Sequence, residues 1–466
     1  MKATAFFLLI TLLISTSCTS ENNRFNTDIP VSLLNENIQG NWKPSASATV
    51  AFTDSGMILS GKESTVIYTG DTTQNIDITL TFQLPAGAKA SLFFNAHETA
   101  DGSLQGYNIQ LNNSEEAEPK PGSLKQIRNL YIPFMKESSV NMLRTVVVAN
   151  HIQIWLNDAL VVDYRQPENP YRTAETSEML VGSGLVGITF STGSDPISIS
   201  AFDVKIPEEN EQTEASSPDD NYIRSVTKLH TEGYPLVDYH IHLKGDLTME
   251  QALAHAAATG INYGIAVNCG QDFPINSEAK LDSFFNTLTP EPVFYAMQAE
   301  GREWLDLFSE ESRQQFDYVF TDAMTYTEND GNRVHLWKPE EVHIEDAEKF
   351  MDFYVEKITE VMEEPIDIFV NPTFLPEVIR DQYNTLWTEE RMEKVINAAV
   401  KNDVVMEINC RYRIPSYAFL KKGKEMGLKF SCGTNNTNRE IGLQKYFIDM
   451  IDSCHLVPTD LYFPEL

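Results

Sequence analysis

The hydrophobic period of this chain changes once, and the change falls on a stretch that cannot order itself. Residues 208–221 read Glu-Glu-Asn-Glu-Gln-Thr-Glu-Ala-Ser-Ser-Pro-Asp-Asp-Asn. So few apolar side chains cannot offset the entropy of ordering. Before this run, apolar residues recur at every second position, as in Ile76-Asp77-Ile78-Thr79-Leu80-Thr81-Phe82. That is the pattern of a half-buried strand. After it, short apolar runs alternate with amphipathic segments of helical period. A chain of 466 residues exceeds one ordinary domain. The expectation is an all-β domain over 31–207, a linker over 208–233 and an α/β domain over 234–466.

In the first domain, strands are expected at 76–82, 90–94, 107–111, 145–148, 151–156, 159–164, 185–190 and 197–204. Turn pairs such as Ala149-Asn150 and Asn157-Asp158 separate them. Many short strands with turns of this kind indicate a sandwich or jelly roll. In the second domain, strands at 236–243, 261–269, 292–301, 318–324, 366–370, 404–409 and 428–432 alternate with helical stretches. The first of these helices is expected at 249–259, with Thr248 as N-cap, Gln251 closing a capping box and Gly260 ending it. Strand and helix alternating in this way build a parallel αβ barrel, whose chemistry lies at the C-terminal ends of the strands.

Those ends are polar throughout. The first strand carries Asp238, His240 and His242 at alternate positions, which places them on one face. Lys244 follows. The other ends supply Asn268 and Cys269, Glu300 and Glu303, Asp322, Asn371, Glu407 and Asn409, then Thr434, Asn435 and Asn436. One histidine on a strand is ordinarily a hydrogen-bonded core residue. Polar groups at all seven ends are not explained by packing and mark a site. Two neutral imidazoles beside a carboxylate can hold a divalent cation. Glu303, Glu407, Asp322 and Glu300 are candidates for moving protons. Lys244, Arg302 and Arg411 are candidates for stabilising negative charge, and Asn268, Asn371, Asn409 and Asn435 for binding substrate.

The N-terminus fixes an expected compartment. Met1-Lys2, an apolar run over 5–14 and Ser15-Thr16-Ser17-Cys18 have the make-up of a signal peptide. The last four residues resemble the lipobox of bacterial lipoproteins. The resemblance implies removal of 1–17, lipid on Cys18, a tether over 18–30 and a membrane as partner. The lack of Asp after the cysteine leans towards the outer membrane. The other cysteines, Cys269, Cys410, Cys432 and Cys454, read as buried thiols rather than disulfides. A formal net charge of −32 would repel phosphates and excludes nucleic acid as a partner.

Three ordered stretches carry a further resemblance. They are Gly106-Tyr107-Asn108-Ile109-Gln110, Pro121-Gly122-Ser123-Leu124 with Arg128-Asn129-Leu130-Tyr131, and Ile152–Asn157 with Val161-Val162-Asp163-Tyr164. Together they resemble the 3-keto-disaccharide hydrolase domain family. That implies a concanavalin-like sandwich and a carbohydrate partner, with Tyr107 and Arg128 among the candidate sugar-binding residues. Lys89–Asn95 departs from the family pattern around the paired aromatics.

In the second domain, Asp238-x-His240-x-His242, Gly301-x-Glu303, Glu407-Ile408-Asn409 and Gly433-Thr434-Asn435 resemble the polymerase-and-histidinol-phosphatase (PHP) superfamily. The resemblance implies a TIM-related, seven-stranded barrel and metal ligands at Asp238, His240, His242 and Glu303. Asn268-Cys269, Asn371 and Asn435-Asn436 stand where the family carries charged or imidazole ligands. One ion, zinc or manganese, is therefore expected rather than three. The readings open at this point are an envelope hydrolase or lyase acting on a possibly 3-keto glycoside, a non-catalytic glycan-binding lipoprotein, and a metal-dependent phosphoesterase.

Overall fold

The computed structural model describes residues 25, 29–112, 119–135, 138–208, 218–327 and 332–464. The expected signal peptide and Cys18 lie outside them. No helix among the described residues is long and apolar enough to cross a membrane.

Among the described residues the first domain has thirteen strands. They are β1 (Val31–Ser32), β2 (Trp42–Pro44), β3 (Thr49–Thr53), β4 (Gly56–Ser60), β5 (Ser64–Thr73), β6 (Ile76–Gln83) and β7 (Lys89–Glu98). After them come β8 (Leu104–Gln110), β9 (Asn141–Val148), β10 (His151–Leu156), β11 (Ala159–Arg165), β12 (Gly184–Ser191) and β13 (Ile197–Lys205). One sheet runs β11-β10-β9-β6-β13-β4-β3 with β1 beside β13, and the other β2-β5-β12-β7-β8. Alternation decides the packing. Ile76, Ile78, Leu80 and Phe82 of β6 and Ala90, Leu92 and Phe94 of β7 are buried in one shared core. The sequence reading found eight of these strands and passed over β1 to β5, of which β1 and β2 are only two and three residues long.

The expected linker is corrected over its second half. Helix α1 (Asp220–Thr231) begins there, with the Asp219 side chain accepting from the Tyr222 amide at 2.9 Å. It buries Tyr222, Ile223, Val226 and Leu229, spaced to form one helical face.

The second domain is a closed barrel of seven parallel strands. These are β14 (Val237–Ile241), β15 (Asn262–Cys269), β16 (Phe294–Ala299), β17 (Tyr318–Thr321), β20 (Ile368–Phe369), β21 (Val405–Asn409) and β22 (Phe430–Gly433). A hairpin of β18 (Thr325–Thr327) and β19 (Arg333–His335) interrupts the order after β17. The intervening helices are α2 (Met249–Thr259), α3 (Glu278–Thr287), the single turns α4 (Trp304–Leu307) and α5 (Glu310–Arg313), and α6 (Ala347–Val361). They continue with α7 (Tyr383–Leu386), α8 (Glu389–Lys401), α9 (Tyr417–Glu425) and α10 (Lys445–Cys454). The Thr248–Gln251 capping box and the left-handed Gly260 cap of α2 are present as expected. Among the described residues the four cysteines are free thiols, three of them buried.

The sandwich docks on the barrel at the N-terminal ends of its strands. Asn262, first residue of β15, accepts from the Tyr131 amide at 3.0 Å and donates to the Asn129 carbonyl at 3.0 Å. Tyr131 Oη donates to the Tyr234 carbonyl just ahead of β14. Ile132 joins the core formed by Val237, Phe294, Tyr318, Ile368 and Val405, which lie at or near the strand starts. None of these contacts involves the opposite, C-terminal ends of the strands.

Candidate functional site

The first strand does not keep a plain alternation. Its pairing with β15 slips between Asp238 and Ile241, so three steps on β14 match two on β15. Such a bulge re-aims side chains. Asp238 consequently leaves the face shared by the histidines. Its Oδ2 accepts from Gln444 Nε2 at 2.9 Å, and its Oδ1 from the amides of His240 and Thr434, both at 3.1 Å. Both carboxylate oxygens are thereby engaged, and Asp238 is a brace between β14 and the start of α10 rather than a ligand.

His240 and His242 remain together at the mouth, with ring centroids 5.2 Å apart and side chains almost wholly buried. His240 Nδ1 donates to Glu407 Oε1 at 2.6 Å, and His242 Nδ1 to the Ala266 carbonyl at 3.1 Å. The Nε2 atom of each ring is buried with no partner. Burial foremost, then the charges of His240 and Lys244, hold His242 well below the usual imidazole range, so it is neutral. Two buried imidazoles, each anchored through Nδ1 and open at Nε2, are built to serve a third party.

Gly433 makes the pairing possible. A Cβ there would lie 1.9 Å from Glu407 Oε1 and 2.9 Å from His240 Cβ. Glu407 is fully committed, its Oε2 accepting from the Asn371 amide at 2.7 Å and from Asn409 Nδ2 at 2.9 Å. The expectation that Glu407 moves protons to substrate is corrected: it orients His240. Asn409 is likewise fully buried and spent on Glu407, Asn371 and the Tyr412 amide, so it does not meet a substrate. Asn435 and Asn371 extend this net, Asn435 donating to Asn371 Oδ1 and Asn371 to Asp322 Oδ2, each at 2.9 Å.

A pair of acids completes the mouth. Glu300 accepts from Asn268 Nδ2 at 2.7 Å. Burial first, then the charge of Asp322, pushes Glu300 up to about 8 against Asn268, Lys244 and Arg302. Burial also raises Asp322, against the Met324 amide, Asn371, Arg302 and His240. Each desolvated carboxyl disfavours ionisation of the other. Lys244, half-buried, is pushed down by burial while Glu300 opposes the shift and Arg411 adds to it. The sequence reading treated Glu300 as secondary to Glu303. Its position three residues earlier, directly after the strand end, was the available signal.

Glu303 turns away. It stands as N-cap of α4, partly exposed, with its carboxylate 3.5 Å from Arg333. The glycine before Arg302 allows this, since Gly301 at φ 72° would otherwise place a Cβ 2.5 Å from Glu303 Oε2. Glu303 as ligand and catalyst is therefore corrected. Arg302 is corrected as a substrate residue: it is tied to Glu364 at 2.9 Å, Thr321 and the Asp322 carbonyl. Cys269 Sγ is raised far above its ordinary range by burial and by Glu300, which leaves it inert.

In the sandwich, Tyr107 and Arg128 do not face a ligand. Tyr107 is fully buried, stacked on Phe94 and bonded to Gln166 Oε1 at 2.6 Å and Arg172. Arg128 is buried between the domains, donating to Thr227 Oγ1 at 3.0 Å and lying 4.9 Å over the Tyr164 ring.

Among the described residues no three or more His, Cys, Asp or Glu side chains are grouped so as to hold a metal ion. The site thus offers two imidazole donors and not the four ligands expected.

Residues 30–204 match the 3-keto-alpha-glucoside-1,2-lyase-like domain family. No curated protein matches the chain. Among solved structures, one described as a candidate glycosyl hydrolase from Parabacteroides distasonis is 17% identical, covering 38% of this chain and 99% of its own, with a TM-score of 0.32. The carbohydrate binding module CBM66 from Bacillus subtilis is 15% identical over 35% of this chain and 95% of its own, with a TM-score of 0.25. The family match covers the sandwich and stops short of the barrel, so the sandwich is a carbohydrate-related domain joined to a separate barrel with its own polar mouth.

Proposed function

We propose that the chain is an envelope-anchored enzyme of glycan breakdown, a hydrolase or lyase whose reaction centre is the barrel mouth. In this reading the sandwich attaches the protein to its carbohydrate. The observation that carries it is the pair of buried, unpartnered Nε2 atoms of His240 and His242, at a mouth that also carries the buried acids Glu300 and Asp322. Structural histidines satisfy both nitrogens; these satisfy one.

The residues fit a divalent ion in part. His240 and His242 would hold it through Nε2, with Glu407 and the Ala266 carbonyl fixing both rings from behind. When bound, the ion would supply Lewis acidity to a substrate oxygen or to water. The remaining steps belong to the protein. Glu300, whose ionisation burial disfavours, delivers its proton to a leaving oxygen and becomes the carboxylate, which Asn268 and Lys244 stabilise. Lys244 and Arg411 stand by the mouth to stabilise negative charge as the bond breaks. The anchor follows from Ser15-Thr16-Ser17-Cys18.

The test has two readouts. Protein purified without affinity-tag nickel is analysed for bound metal, and screened on native and 3-keto glycosides with zinc or manganese added. His240→Gln with His242→Gln should lose bound metal and turnover together while leaving the fold intact. Equal metal content and equal turnover in the double variant would overturn the reading.

A further inference from the structure

Beside the mouth lies a cavity of about 570 Å³, within the range of small-ligand sites. It opens between the segment carrying α7 and the loop that follows β21. Three of its lining residues are arginines, Arg380, Arg411 and Arg413, and none is acidic. In a chain with 35 Lys and Arg against 67 Asp and Glu, such a grouping runs against the average. Among the described residues none of the three forms an ion pair with a carboxylate. Unneutralised guanidiniums around one cavity create a local positive field, and guanidinium geometry suits carboxylate, sulfate or phosphate.

The remaining walls are aromatic and held in place. Arg411 lies 5.1 Å over the Tyr412 ring, and Arg413 lies 5.6 Å over Tyr446. Each guanidinium thus rests on a ring and leaves its N–H edges for another partner. Tyr383 Oη is bonded to Thr373 Oγ1 at 2.6 Å and accepts from the Ser416 amide, while Phe374 sets Tyr412 edge-on at 5.0 Å. Fixed ring faces beside fixed cations form a pocket that needs little ordering on binding.

This cavity is connected to the reaction centre. Arg411 also lines a smaller cavity of about 230 Å³ with Asn435, Asn436 and Asn438. It donates to the Asn435 carbonyl at 3.3 Å, and Asn435 is bonded to Asn371, which bonds Glu407 behind His240. The smaller cavity is lined by side-chain amides, the groups that read hydroxyls.

We propose that the larger cavity is a subsite for an acidic sugar residue. Its pyranose ring packs among the aromatic walls, and its anionic group is held by Arg380, Arg411 and Arg413. The neighbouring residue of the glycan would then occupy the amide-lined cavity. The inference rests on the proposed function only in taking the ligand to be a saccharide, and it narrows the substrate to acidic glycans.

Isothermal titration of the purified protein tests it with trigalacturonate, a sulfated trisaccharide, neutral maltotriose and sodium sulfate. Trigalacturonate or the sulfated sugar should bind at least tenfold more tightly than maltotriose, and the preference should shrink as salt rises. The stronger of the two identifies the anion. Arg380→Gln with Arg413→Gln, both exposed positions, should weaken the acidic sugar roughly tenfold or more, as expected for lost charge-assisted hydrogen bonds, without moving the thermal midpoint. His240→Gln with His242→Gln should bind the acidic sugar normally even if it turns over nothing, which separates this subsite from the reaction centre. Equal affinity for maltotriose, sulfate alone binding as tightly as the acidic sugar, no binding of any sugar, or an unaffected arginine variant would each overturn it.

Discussion

His230 should make the sandwich–barrel junction sensitive to acid. It is 1% exposed and sits where the two domains meet. Its Nδ1 accepts from the Asn129 amide at 3.3 Å, so the proton must sit on Nε2, which faces the Gly260 carbonyl at 2.7 Å. A second proton would place N–H against N–H. Burial first, then the nearby Arg128 charge, depresses it from 6.5 to about 3, against the Gly260 hydrogen bond. The sign follows directly. The unfolded chain takes up a proton below pH 6.5 that the native chain refuses, so the stability from this residue is intact above 6.5 and is lost as pH falls towards 3. The loss runs at roughly 1.4 kcal/mol per pH unit and reaches about 2 kcal/mol at pH 5. Urea unfolding of wild type and His230→Gln between pH 7.5 and 5 measures it, because the amide does not titrate and other groups cancel in the difference. The stability gap between them should narrow by about 2 kcal/mol at pH 5. A gap constant across that range would show that His230 is not held neutral, and would refute the junction's hydrogen-bond assignment.

Other expectations follow from single contacts. Gly433→Ala should drive Glu407 off His240, abolish turnover and lower stability by about 1–3 kcal/mol, read by thermal denaturation and the activity screen. Arg128→Ala should cost about 2–4 kcal/mol in urea unfolding, because it empties a buried volume between the domains; Arg128→Met should cost less. Limited proteolysis should cut within 208–219, yet the fragments should elute together on size exclusion, since α1 and residues 129–132 bridge the domains. Cys18→Ser should move the protein from the membrane fraction to the soluble one, as followed by immunoblot.

The domain order, the closed barrel and most of its strand ends were legible because they depend on period and on turn and cap chemistry, which are local. The Thr248–Gln251 box and the Gly260 stop, for example, need only four-residue spacing and a left-handed cap. Helix α1 was missed because its apolar positions begin directly after an acidic run and pack on elements more than 200 residues away, Tyr222 reaching Gln444 at 2.6 Å. Tyr107 and Arg128 were misread for a related reason. A polar or aromatic residue on a strand looks the same in sequence whether its face meets ligand, core or another domain. Only the docking of the sandwich on Thr227 and Asn262 decides that Arg128 is structural.

The bulge in β14 shows why the candidate site itself was only half legible. Strict alternation would put Asp238, His240 and His242 on one face, and that reading gave three ligands from one strand. One extra residue in the register removes Asp238 to the Gln444 side and keeps the histidines at the mouth. The charge balance of the site changes with it. Without Asp238 and Glu303, the acids nearest the histidines are Glu300 and Asp322, both raised by burial, and Glu407, which is spent on His240. In the proposed reading such a centre favours the protonated carboxyl and can donate its proton, which four ionised ligands around a cation would not do. In the proposed reading, the docking of the sandwich at the opposite rim means that it serves by holding a substrate close rather than by lending a side chain to the mouth.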